Sequence, residues 1–361
     1  MSTCKKIIEE CIELGAKPPT GLKKDELVAF KENLVYAIEK GLSLETASDY
    51  KMPFKEFKAL LVPKYRDESM DWIDHLEEYG WTTVKVPDLD VDEAIDAFYT
   101  TLETCRYKGS EELTMFRRDK PETWNDLPPN LHGIFKSNFG HLQFLWNIRE
   151  RCIDVFKEIC QEEELLVSFD GGCFIPPGKG MSGSWFHCDQ GRLISRDYCC
   201  AQGVVALTPS GPHDGGLVVI EGSHKIFGDY LDTHPVFGFA WAKVDVSDPL
   251  VRDLSIVKVC VPAGHIMLFD SRTFHCNMPP EPEAKTPRMV TYVSMLGKSG
   301  ATPKELSKRK EAFKKQRMTN HWAYTSALVT TAKDPRSWGK DYLVPVQKAP
   351  VLNEVQKALI A

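Results

Sequence analysis

The sequence predicts a mostly β core, an antiparallel jelly roll or barrel, with helical segments before and after it. Three observations carry that expectation. Between about residues 165 and 297, short β-rich runs (LLVSFDGGCFI, YCCAQGVVALTP, GGLVVIEGS, SIVKVCV, HIMLFDSR, RMVTYVSML) are punctuated by Gly, Pro, Asp and Ser, as short strands joined by turns are. Residues 1 to about 85 instead carry apolar side chains at helical spacing, with Leu27, Phe30, Leu34 and Ile38 on one face. After Ser299 the segment PKELSKRKEAFKKQR is again helical and strongly basic.

Taken in order, Ser43 and Leu44 open a short helix, and GLSLETASDYKMPFKEFKALL resembles a helix-turn-helix in outline. Residues 1–70 hold twelve Lys/Arg against twelve Asp/Glu. A DNA-groove binder needs an excess of positive charge to displace counterions, so these helices are read as packed on or next to the core. From Met70, DWIDHLEEYGWTTVKV reads as a helix ended by Gly80 and followed by a strand. Further helices are expected near 92–105 and 138–161. The expected organisation is a helical region over 1–85, a β-domain with flanking helices over 86–300, and a helical tail over 301–361. The seven Lys/Arg against two Asp/Glu of 303–317 read as a solvated face.

Composition excludes several classes. A net charge of -6 with a pI near 6.0 gives no global pull towards nucleic acid or a membrane surface, and no apolar run approaches the roughly 20 residues that span a bilayer. The N-terminus is amphipathic and acidic, unlike a secretion signal. Eleven cysteines without a CxxC pair fit free thiols in a reducing compartment, with the cytoplasm as the expected location. Oligomeric state is not readable.

The chemistry concentrates in WFHCDQ at 185–190. In an extended strand, alternation places His187 and Asp189 on one face and Cys188 on the other. A third ligand is His275 in LFDSRTFHCN, 88 residues further on. Two histidines and one carboxylate on one face leave open positions, the arrangement that suits iron(II) oxygenases. Arg288 follows thirteen positions later in TPRMVTYVSM, where a guanidinium can pair bidentately with the distal carboxylate of a 2-oxo diacid.

The order HCD…H…R, with GGLVVIEGSH and PAGHIMLFDSRTFH between, resembles the phytanoyl-CoA dioxygenase family over about residues 160–300, and more loosely around 70–86. The resemblance implies a double-stranded β-helix of jelly-roll or cupin type. It also implies Fe(2+), 2-oxoglutarate and O2, with ascorbate as an optional reductant, and hydroxylation with release of succinate and CO2. His187, Asp189 and His275 match its metal ligands and Arg288 its 2-oxoglutarate anchor. Gly215 to His224 matches a structural turn between strands, which makes His224 scaffold. The chain departs from the pattern at His265, Phe269 and Val290. At Val290 a hydroxyl that helps hold the carboxylate is missing, and Tyr292 or Thr208 is left to supply it. The carboxylate of Asp189 favours hydroxylation over halogenation, which in the wider family goes with a small residue there.

Several further residues have two readings. Trp185 shares the metal-facing side of its strand, as a pocket wall or core packing. Gln202, the one strongly polar side chain in CCAQGVVAL, needs a partner if buried, either 2-oxoglutarate or neighbouring backbone. Arg272 is expected to pair with Asp270 or another carboxylate. Arg192 and Arg196 are placed to reach an anionic substrate or to sit in a solvated loop. His75, His132 and His141 read as ordinary polar or capping residues, His213 as exposed, and His234 and His321 as candidate pocket residues. The expected partner is a small or medium-sized organic substrate. A peptide hydroxylase and a metal-binding protein without turnover are the alternatives.

Overall fold

The computed structural model describes residues 3–18, 24–40, 52–107, 110–126, 133–135, 138–178, 185–190, 200–234, 242–324, 343–344 and 349–361. Helices α1 (Cys4–Glu13) and α2 (Lys24–Lys40) bury Ile7, Cys11, Leu27, Phe30 and Leu34 in a small cluster of their own, while Ile38 is exposed. The helix expected at Ser43 lies outside the described residues. Helix α3 (Phe54–Leu60) runs straight into strand β1 (Leu61–Lys64).

Helix α4 (Trp72–Tyr79) starts where the Asp71 carboxylate accepts the Ile73 and Asp74 N–H groups, and stops at Gly80 in the left-handed region with φ +78°. A glycine is required there twice over. An L side chain is strained at that φ, and a Cβ would run into His224 and Thr273. Strand β2 (Trp81–Lys85) follows at once, then α5 (Val91–Thr104), capped by Asp90, and a two-residue strand β3 (Arg106–Tyr107). The single helix expected over 138–161 is instead a short 3-10 turn followed by α6 (Gln143–Arg151) and α7 (Ile153–Cys160). The break falls at Cys152, whose N–H is shared among the carbonyls of Ile148, Arg149 and Glu150, a tightened last turn that ends the α-helical ladder.

The β-rich region delivers β4 (Leu165–Val167), β5 (Gly172–Ile175), β6 (His187–Cys188), β7 (Ala201–Ala206) and β8 (Gly216–Ile220), then helix α8 (Ser223–Thr233). After it come β9 (Ala242–Lys243), β10 (Ile256–Val259), β11 (His265–Asp270), β12 (His275–Met278), β13 (Arg288–Val293) and β14 (Met295–Gly297). Beyond the core lie α9 (Pro303–Lys314), β15 (Leu343–Val344) and α10 (Glu354–Ala358).

Six strands form one sheet in the order β1-β10-β8-β12-β6-β9, and five form a second in the order β2-β11-β7-β13-β5. Every pairing is antiparallel except that of β1 on β10. Strands β1 and β2 precede residue 86 yet belong to these core sheets. Alternation along each strand sorts the side chains into layers. Val204 and Ala206, Leu217 and Val219, Val257 and Val259, Met267 and Phe269 meet in one buried cluster that draws on both sheets, so the sheets face each other. Val218, Ile220 and Cys276 turn outward to pack under α3 and α8. Val205, Ile266, Leu268 and Met289 turn outward under α5, α6 and α7. The result is the mostly β, double-stranded β-helix core with flanking helices. Among the described residues no strand hydrogen-bonds into both sheets, so the barrel is open.

The stretch Gly215 to His224, expected as a turn, in fact holds the whole of β8 and the start of α8. Gly222, at φ +78°, breaks the strand, and Ser223 and His224 are the first helical residues. The basic segment after Ser299 is helical, with a capping box between Thr302 and Glu305, but its Arg309 is internal. It is fully buried and donates to the carbonyls of Val167, Ala323, Leu359 and Ile360, and burial pushes its pKa down to about 9. Among the described residues, no helix is long and apolar enough to cross a membrane.

Candidate metal centre

Strand register builds the site. His187 on β6 and His275 on β12 are direct cross-strand partners, which sets their rings side by side with centroids 4.3 Å apart. Cys188, between His187 and Asp189, turns the other way into the outer cluster, as alternation requires. In each histidine Nδ1 faces a backbone carbonyl two residues earlier, Trp185 O at 3.2 Å from His187 and Thr273 O at 2.9 Å from His275. A carbonyl only accepts, so Nδ1 carries the proton and donates. Each Nε2 lone pair is thereby left for the centre, the device by which a neighbouring acceptor fixes the tautomer of a ligating imidazole.

Both Nε2 atoms point at Asp189, His187 to Oδ1 at 3.7 Å and His275 to Oδ2 at 3.4 Å. One donor atom from each of the three residues lies within 4.8 Å of the other two. Burial alone would raise the Asp189 carboxyl, but the positive charge that the imidazoles of His321, His187 and His275 carry when protonated holds it well below the usual carboxylate range. The donor set is therefore two imidazole nitrogens and one carboxylate, mixed N/O chemistry that fits iron(II).

The surroundings fix these side chains. The Trp185 indole stacks on His187 at 4.7 Å and 14° and donates Nε1–H to the Asn277 carbonyl at 3.0 Å. Phe269 lies against His275 at 4.4 Å. His275 is also tied to the end of α4, because Thr273, whose carbonyl its Nδ1 uses, donates its hydroxyl to Gly80 O at 2.9 Å.

Arg288 sits on β13 opposite Ile175 of β5. It shares the face of Val290 in the interior cluster. It is 3% exposed, and its Nε and Nη1 have no hydrogen-bond partner. A buried guanidinium with idle donors is expensive unless something anionic meets it, and a dicarboxylate co-substrate is such a group. Cys173 and Tyr292 lie beside it. Of the two hydroxyls left open by Val290, that of Thr208 is engaged by backbone, donating to Pro287 O at 2.8 Å and accepting from Met289 N at 3.0 Å. Tyr292 is the one that faces the arginine. Gln202 lies cross-strand from Phe269, on the interior face, and its Nε2 is likewise buried without a partner.

The other histidines fall into place as structure. His224 donates Nε2–H to Glu77 O at 2.9 Å, His75 meets Trp81 O at 2.7 Å, and His141 meets Arg317 O at 3.0 Å. All three are buried, more so than an ordinary polar reading implies. His213 is exposed and reaches Glu281, while His234 pairs with Asp248. Arg272 forks onto both oxygens of Asp270, at 2.9 and 2.6 Å. His132, Arg192, Arg196 and Cys199 lie outside the described residues. Sequence reasoning gives His321 no more than a candidate place in the pocket, yet its Nδ1 is 3.7 Å from Asp189 Oδ2. Nothing in the sequence signals that contact, which depends on how the tail folds back.

Among curated proteins the chain is similar to Ava biosynthesis cluster protein O of Aspergillus versicolor, 28% identical over 222 residues, 56% of this chain and 70% of that protein. Among solved structures it is similar to the non-heme monooxygenase ThoJ, at 18% identity and TM-score 0.41, covering 63% of this chain and 77% of ThoJ. It is similar also to EvdO2 from Micromonospora carbonacea var. aurantiaca complexed with 2-oxoglutarate, at 15% identity and TM-score 0.38, covering 65% of this chain and 92% of that one. Superpositions this loose say nothing about the chemistry of this chain. Residues 92–276, just over half of the chain and the stretch that holds His187, Asp189 and His275, match the family described as Phytanoyl-CoA dioxygenase (PhyH). The chain belongs to the phytanoyl-CoA dioxygenase family, and is an oxygenase dependent on iron and 2-oxoglutarate.

Proposed function

We propose that His187, Asp189 and His275 hold the iron, that Arg288 anchors the distal carboxylate of 2-oxoglutarate, and that the reaction is hydroxylation of a C–H bond in a small or medium-sized organic molecule. The observation that carries this reading is the pairing of two things in one interior. One is a triad whose imidazole protons are already committed to backbone carbonyls. The other is a buried arginine with unspent donors on the facing sheet. Iron with 2-oxoglutarate and dioxygen, when bound, supplies the oxidation and releases succinate and CO2.

The chain's own residues supply position and surroundings. Trp185 and Phe269 brace the two imidazoles and keep water from their outer faces. Arg288 and the Tyr292 hydroxyl present donors to a carboxylate, and the Gln202 amide is a further donor on the same face. The carboxylate of Asp189 occupies the position whose loss would open the centre to a halide, which favours hydroxylation. A small-molecule substrate is supported by the name of the Aspergillus relative, which places that protein in a biosynthesis cluster. Eleven scattered cysteines without a CxxC pair support the cytoplasm as its place.

Turnover of candidate natural-product intermediates under isotopically labelled dioxygen tests the hydroxylation directly. One labelled oxygen is expected in succinate and one in the product. Label in succinate alone, with a product that has lost two hydrogens, would replace hydroxylation by desaturation.

A further inference from the structure

His321 lies beyond the stretch that matches the family, and beyond the core sheets. It is nevertheless held tightly. The segment from Met318 to Tyr324 is laid along the body of the protein as a strap. Phe169 N–H donates to Thr319 Oγ1 at 2.8 Å, and Thr319 N–H returns a bond to Phe169 O at 3.2 Å. Trp322 and Ala323 are fully buried in a cluster with Leu166, Cys200 and Leu296. The Tyr324 hydroxyl donates to Gly297 O at 2.6 Å, and the buried Arg309 binds the Ala323 carbonyl. Between these anchors the strap delivers His321, its side chain only 14% exposed, with Nδ1 at 3.7 Å from Asp189 Oδ2.

That imidazole does not complete the donor set, because among the described residues only His187, Asp189 and His275 present atoms that are all mutually within 4.8 Å. Its contact with the triad is with the Asp189 carboxylate. At 3.7 Å the contact is in ion-pair range and just outside hydrogen-bond range. Asp189 needs such help more than the histidines do. Each histidine is oriented by its own Nδ1 bond and by an aromatic ring, whereas the charged partners of the Asp189 oxygens among the described residues are imidazoles, of which His187 and His275 belong to the triad itself. A carboxylate without a second anchor is free to turn about its terminal bond and present either oxygen.

We propose that His321 is a positioning residue for Asp189, through which the C-terminal strap sets the orientation of the carboxylate at the metal. The inference rests on the triad's role as the metal site. Groups that orient a metal ligand contribute about 10- to 100-fold to metal affinity. The role predicts a graded response, because an amide at position 321 can still offer an N–H to the carboxylate, whereas an apolar residue offers none.

The test uses the full-length protein and Co(II) as a spectroscopic probe, titrated into metal-free wild type, His321→Leu, His321→Gln and His187→Ala. Thermal unfolding checks that each variant is folded. Wild type is expected to bind one Co(II) with a visible ligand-field spectrum. His321→Leu should bind about 10- to 100-fold more weakly with an altered band shape, and His321→Gln should recover much of both affinity and band shape. Wild-type affinity and spectrum in His321→Leu would overturn the positioning role, as would a His321→Gln no better than leucine. Wild type and His187→Ala binding Co(II) equally would instead overturn the metal reading on which the inference rests.

Discussion

Arg288→Leu should raise the 2-oxoglutarate concentration needed for half-maximal turnover by roughly 30- to 3,000-fold, the equivalent of about 2–5 kcal/mol for one side of a buried charge pair. Succinate formation measured against 2-oxoglutarate concentration gives the number directly. Two details separate an anchoring role from general damage. Without co-substrate, Nε and Nη1 of Arg288 are buried and unpartnered, so the leucine variant removes a buried charge that Tyr292 and Cys173 only partly satisfy. It should unfold at a temperature no lower than wild type. Arg288→Lys should fall between the two in co-substrate affinity, since lysine keeps the charge but loses the two-pronged geometry. An unchanged co-substrate requirement in the leucine variant would remove Arg288 from the site.

Asp189→Ala and Asp189→Asn should both abolish turnover, with metal affinity reduced by more than about 100-fold. That bound holds because removing a ligand must cost more than removing a group that merely orients one, itself about 10- to 100-fold. The asparagine is the more informative of the two. It keeps the shape of the side chain but removes the negative charge that faces His187 and His275 at 3.7 and 3.4 Å. Loss in both variants therefore assigns the role to the carboxylate's charge and oxygen donors. Metal content after dialysis against trace iron(II) is the readout, and an asparagine variant that retains stoichiometric metal would contradict the assignment.

Whether a feature of this fold is legible in the sequence depends on whether its signal is local. WFHCDQ is readable because alternation along an extended chain is a property of neighbouring residues. His187 and Cys188 accordingly face opposite sides although β6 is only two residues long. The β-rich runs from 165 to 297 form β4, β5, β7, β8, β10, β11, β13 and β14 for the same reason. Parity along the chain sets Arg272 apart from His275 and beside Asp270, and it forks onto that carboxylate.

The features that escape the sequence are long-range or subtle. Strand β1 is four residues that end a helical stretch and include Pro63, too short to show a period. It is a strand because β10 offers it a parallel edge. The division of the helix at Cys152 turns on which carbonyls one N–H shares, which apolar spacing does not encode. The start of α8 reads as a turn because Gly222 breaks the strand in either case, and only tertiary packing makes the next residues helical. The approach of His321 to Asp189 joins positions far apart in the chain through Thr319, Tyr324 and Arg309. Each of these residues makes an ordinary bond on its own.

The most direct test of the central claim is succinate production by the purified full-length chain supplied with iron(II), ascorbate and 2-oxoglutarate but no added substrate, beside His187→Ala under the same conditions. The claim that the facing imidazoles of β6 and β12 and the Asp189 carboxylate hold the working iron predicts slow, iron-dependent succinate formation by wild type and none by the variant. Equal succinate from the two proteins would contradict it.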